Sequence, residues 1–193
     1  MARARKLFPS YGSALANNML VALVHDGVVA RFVASYVADE DRRGILGGPA
    51  RDRELAETIG REILLAMIVE VHDALPAFFG KKSKGKLKPE EREAVDAFSR
   101  ELLAALSRAQ NWNVDDRKHF RRDLALYADF RARSEKAAGT RKKVKPAQEE
   151  APFIARVALL LDPSMLEQAR RATRKLYGSA GQIARKLLRQ TLG

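Results

Sequence analysis

Cysteine is absent from this chain, which excludes a disulfide scaffold, a thiolate metal site and a cysteine nucleophile. Long apolar runs are absent too. The run Met19–Val24 stops at His25-Asp26, well short of the roughly 18 uninterrupted apolar residues that mark a transmembrane helix. No membrane span is therefore expected, and the expected location is the cytoplasm. No stretch alternates β-branched or aromatic residues with polar ones between turn dipeptides, which argues against a sheet. Also missing are a glycine-rich phosphate loop entering a helix, a His-Glu-x-x-His pair, a Gly-x-Ser-x-Gly elbow and the paired Glu-x-x-His of a di-iron bundle. The expectation from these gaps is a protein that is not an enzyme and needs no cofactor.

What is present reads as helix. Of the 193 residues, 46 % are hydrophobic, enough for one packed domain and too many for a disordered chain. Segments 10–38 and 50–79 are apolar nearly all round, the second through Ile63–Val69. Helices without a polar face belong in the middle of a bundle. Pro76 is expected to kink or end the second one. Residues 89–109 carry one stripe, Val95, Phe98, Leu102, Leu106 and Ala109. Trp112 lies in the turn that follows, where a packing lid is the expected role. Asn113 is the expected cap of a helix over 114–138 whose apolar face is Phe120, Leu124, Tyr127 and Ala128. Residues 139–150 read as a linker, and Ile154, Val157, Ala158 and Leu161 as a short helical stripe. Two capping-box patterns, Ser164 with Glu167 and Ser179 with Gln182, predict two final helices over 164–177 and 179–192.

The expected fold is all-α: a single bundle of about six or seven helices, no sheet, with segments 10–38 and 50–79 packed together as its two central apolar helices. Within this one domain, 1–80 supplies the apolar pair and 81–138 a basic loop and helical hairpin. Residues 151–193 supply basic C-terminal helices beyond the linker.

Charge of one sign is in excess: 36 Lys+Arg face 24 Asp+Glu, a formal net charge of +12. The last 43 residues hold eight of the basic residues and two acids. Arg170 and Arg174, Arg171 and Lys175, and Arg185 and Arg189 are each four apart, with Lys186 alongside, so each pair stacks on one helical face. Basic ridges opposite apolar stripes are suited to phosphates, which they bind by releasing condensed counterions. The expected partner is nucleic acid, RNA or DNA, bound within a nucleoprotein assembly. Lys142 and Lys143 and the lysine-rich 81–88 loop would be auxiliaries. An acidic protein or an anionic membrane surface would suit the same ridges.

One further pattern points to chemistry. Val24-His25-Asp26-Gly27-Val28-Val29-Ala30-Arg31-Phe32 and Val71-His72-Asp73-Ala74-Leu75-Pro76-Ala77-Phe78-Phe79 share five of nine residues. Imidazole and carboxylate are common ligands of catalytic divalent metals. The pattern resembles the HD-domain phosphohydrolases, in which a His, a later His-Asp pair and a closing Asp hold metal. That resemblance implies His25, His72, Asp73 and either Asp123 or Asp129 as ligands of a phosphohydrolase, the alternative to nucleic-acid binding. The sequence departs from the family at Pro76 and Phe78-Phe79, where small residues and Gly are usual. Without metal, each of these histidines and aspartates is a hydrogen-bonded or ion-paired side chain. A bundle that only binds protein is the remaining alternative.

Overall fold

The apolar run Ile63–Val69 forms the buried middle of a helix that three others cover. The computed structural model describes residues 6–24, 27–29, 49–81, 86–139, 151–161 and 166–193. Among these are six α-helices and no strand: α1 Ser10–Val24, α2 Pro49–Phe78, α3 Pro89–Ala109, α4 Val114–Gly139, α5 Pro152–Leu161 and α6 Leu166–Leu192. They form a single all-helical bundle. Every side chain from Glu62 to Val69 in α2 is buried, as a helix with no polar face requires. Pro76 falls in the last turn of α2, which ends two residues later, with Gly80 at a positive φ of 73°.

Local signals set several boundaries. At α3, Pro89 occupies the first turn with Glu90 and Glu91, and the Lys88 amide donates to Glu91 Oε2 at 2.8 Å. At α4, Asn113 Oδ1 accepts from the amides of Asp115 and Asp116 at 2.8 and 2.9 Å. Asp116 accepts in return from the Asn113 amide at 2.9 Å, which is the expected cap. Four residues of the α3 stripe, Val95, Phe98, Leu102 and Leu106, are buried, whereas Ala109 is exposed. On α4, Phe120 and Tyr127 are buried and Leu124 half-buried, but Ala128 is exposed and Asp123 is buried in its place.

Two expectations are corrected. α1, the described start of the first apolar segment, is not the main place where that segment meets the second. It packs chiefly on α3 and then on α6, while Val29 lies beside Gly60 of α2, and α2 packs on α6, α4 and α5. Gly12 permits the close α1–α3 approach, because a Cβ there would sit 2.6 Å from the Phe98 carbonyl oxygen and 2.8 Å from the Leu102 amide nitrogen. The missing side chain lets the two backbones meet. Nor does α1 lack an outer face, since Asn17, Asn18 and Val21 are exposed. Both helices nevertheless feed one continuous core. The part of segment 10–38 beyond Val29, the 164–165 end of the first capping box and residues 140–150 of the linker lie outside the described residues.

The second correction concerns the C-terminus, where one helix of 27 residues, α6, replaces the expected two. Ser179 caps nothing; its hydroxyl donates to the Lys175 carbonyl at 3.0 Å, the habit of a serine inside a helix. The buried stripe Ala169, Thr173, Leu176, Ala180, Ala184 and Leu188 keeps its three-and-four spacing straight past Gly178. Packing that stripe on α2 and α5 outweighs a weak local stop signal.

Candidate functional site

Charge in this molecule is sorted by depth. Four carboxylates of α2 and α4 meet arginines of α2, α4, α5 and α6 in two part-buried networks, with exposed Arg122 also 3.8 Å from Asp123. In the first, Arg156 of α5 donates from Nη1 to Glu62 Oε1 at 3.2 Å and from Nη2 to Asp123 Oδ1 at 3.1 Å. Arg61 Nη2 reaches the other Asp123 oxygen at 3.3 Å, and the Tyr127 hydroxyl donates to Glu62 Oε2. Burial, followed by the Glu62 charge, pushes the Tyr127 phenol far above its ordinary range. The hydrogen bond to Asp123 holds Arg156 all the more firmly protonated.

In the second network, Arg185 of α6 donates from Nη1 to Glu70 Oε1 at 2.6 Å. Arg131 of α4 lies 3.6 Å from Glu70 Oε2 through Nη2 and 3.0 Å from Asp73 Oδ2 through Nε. Glu70, Arg131 and Arg185 line a cavity of about 170 Å³ with Tyr177, Gly178 and Gly181. Burial raises the Tyr177 phenol as well. These networks leave the excess of positive charge to residues outside them.

Among the six helices, α6 carries the largest excess of basic over acidic residues. At 3.6 residues per turn, a single helix through 166–192 brings Arg170, Arg171, Arg174, Lys175, Arg185, Lys186 and Arg189 into a sector of roughly 160°, opposite the buried stripe. Glu167 is the only acid on the helix. The seven are not equivalent. Arg185 is engaged with Glu70, and Arg170 with Glu167 at 2.8 Å, which holds the Glu167 carboxyl below its ordinary range. Arg171, Lys175, Lys186 and Arg189 are exposed and form no ion pair or hydrogen bond with an acid among the described residues. They are two pairs, Arg171 with Lys175 and Lys186 with Arg189, about 16 Å apart along the axis at 1.5 Å per residue. Lys142 and Lys143 lie outside the described residues.

Among the described residues, the candidate ligands His72, Asp73, Asp123 and Asp129 are not gathered. His72 is exposed, Asp73 faces Arg131, and Asp123 holds Arg61 and Arg156. Asp129 is exposed on α4, and His25 lies outside the described residues. Among the described residues no three His, Cys, Asp or Glu side chains come together as a metal-binding group. No helix among them is long and apolar enough to cross a membrane.

Sequence reading passed over Arg61, Arg131 and Arg156, because an arginine's internal partner lies on another helix. It also passed over a groove between α3 and α4 edged by Arg100, Arg108, Arg117 and Arg121. The four-residue steps Arg100-Ala104-Arg108 and Arg117-Arg121 were the available signal. No protein-family model matches the chain, and no curated protein or solved structure is significantly similar to it.

Proposed function

We propose that this protein binds nucleic acid through the phosphates, with the exposed basic face of α6 as its contact surface and no catalytic role. The observation that carries the reading is the continuity of α6. One unbroken helix about 40 Å long presents Arg171, Lys175, Lys186 and Arg189 on one side, none of them in an ion pair with an acid among the described residues. A rigid rod with paired cations at both ends suits the repeating phosphates of a polyanion, and arginine's planar fork suits each phosphate oxygen pair. An anionic membrane is less well served. Its surface helices need a free apolar face to insert, and the apolar face of α6 is spent inside the bundle.

Contact with phosphates alone predicts little sequence preference and strong salt dependence, with a log–log slope of roughly −0.9 per phosphate neutralised. The test is fluorescence anisotropy with labelled single- and double-stranded oligonucleotides of unrelated sequence across a salt series. Four engaged side chains give a slope of about −3 to −4. Reversing Arg171, Lys175, Lys186 and Arg189 to Glu is expected to bring binding below detection while the thermal melt stays nearly unchanged. Arg185 is left in place, because Arg185→Glu would set a carboxylate against half-buried Glu70. The reading fails if the parent binds neither RNA nor DNA at low salt, or if the quadruple variant binds as the parent does.

A further inference from the structure

α3 and α4 follow one another in the chain, joined by a turn in which Asn111 takes a positive φ of 51°, yet each packs on different neighbours. α3 lies on α1, and α4 on α2 and α5. The facing sides of the two helices are left as an open groove of about 590 Å³, a size that holds several side chains. Its floor is apolar: Leu103 and Ala104 from α3, Phe120 from α4, and Trp112 from the turn. The Trp112 and Phe120 rings lie 4.4 Å apart between centroids at a 38° tilt. Its edges are arginine, Arg100 and Arg108 from α3 and Arg117 and Arg121 from α4, all exposed. Arg108 is paired with Glu101 at 2.9 Å. Arg100, Arg117 and Arg121 have no acidic partner among the described residues.

We propose that this groove docks an acidic amphipathic helix of a partner protein. Guanidiniums on both walls around an apolar floor ask for an occupant with apolar anchors at i, i+3, i+4 and i+7 and carboxylates on both flanks, the complement in shape and sign of the groove. Three cations around a low-dielectric floor repel one another, and carboxylates brought in from either side relieve that repulsion. A nucleic-acid strand fits less well. Its charge runs along one edge only, and Phe120 is already covered by Trp112, so the floor offers no pair of open ring faces to successive bases. The groove shares no residue with the α6 surface, so the two sites stand or fall separately.

Trp112 is the chain's only tryptophan, and its emission reports the state of the groove. The experiment titrates the full chain with a synthetic helical peptide bearing a leucine stripe bordered on both sides by glutamates, and with a scrambled peptide of the same composition. The stripe-bearing peptide is expected to give a saturable blue shift and the scrambled one none. The double variant Arg100→Glu, Arg121→Glu is expected to weaken binding by roughly tenfold or more with its melt unchanged. Ala104→Phe, which fills the floor but keeps all four arginines, should abolish the shift, and the quadruple α6 variant should retain it in full. The proposal is overturned if neither peptide moves Trp112, if both move it equally, if the double reversal leaves affinity unchanged, or if a single-stranded oligonucleotide shifts the emission where the peptide does not.

Discussion

At Arg156 three helices meet through one side chain. Its guanidinium bridges Glu62 of α2 and Asp123 of α4, both buried, so removing it strands two carboxylates whose desolvation is already incurred. Asp123 keeps Arg61 at 3.3 Å and Arg122 at 3.8 Å, whereas Glu62 keeps, among the described residues, the Tyr127 hydroxyl. Breaking a fully buried pair costs about 3–5 kcal/mol. The Arg156 side chain is 34 % exposed, and solvent screening reduces the expected loss for Arg156→Leu to about 2–3 kcal/mol. Urea denaturation checks the value, and a loss under about 0.5 kcal/mol would mean that the bridge contributes nothing to stability. Arg156→Lys should fall between the two, since a single ammonium cannot span both carboxylates.

The element that departs most from local expectation is α6, and Gly178 tests its continuity. A Cβ on Gly178 would meet nothing within 4 Å. Inside an unbroken helix, Gly178→Ala should therefore stabilise by about 0.5–1 kcal/mol. Had one helix ended there and another begun at Ser179, the glycine would take the left-handed conformation at a helix end, and alanine would destabilise. The sign of the change in melting temperature thus separates one helix from two. The outcome bears on function, because only the single helix aligns the 170–175 and 185–189 clusters on one face.

Across the whole molecule, a chain with a net charge of +12 repels itself, while the carboxylates of the two networks are more sheltered from solvent ions than its exposed cations are. Added salt screens exposed charges beyond about 10 Å at 0.1 M and affects buried pairs far less. The melting temperature should therefore rise as salt is added from low ionic strength. Each kcal/mol of relieved repulsion corresponds to roughly 2–4 °C at this chain length. A melting temperature that falls with salt would show that attractive pairs dominate the balance.

By itself the sequence determined what depends on neighbours along the chain. The helical class follows from apolar spacing, the start of α4 from Asn113, the stripe of α3 from Val95 through Leu106, and the basic excess beyond residue 150 from simple counting. Each is a local property, readable because helical geometry repeats every 3.6 residues. Only the tertiary structure decided which helix lies against which and which charges stay available. The close approach of α1 to α3 uses the absent side chain of Gly12 against one particular carbonyl. Fusing the last two helices turns on burying a stripe that a local stop signal interrupts. Arg185 is set apart from Lys186 by a single glutamate 115 residues earlier, a partner that no spacing rule along the chain identifies. The groove between α3 and α4 exists because those helices found better surfaces elsewhere, and that competition among faces is settled only when all of them pack at once.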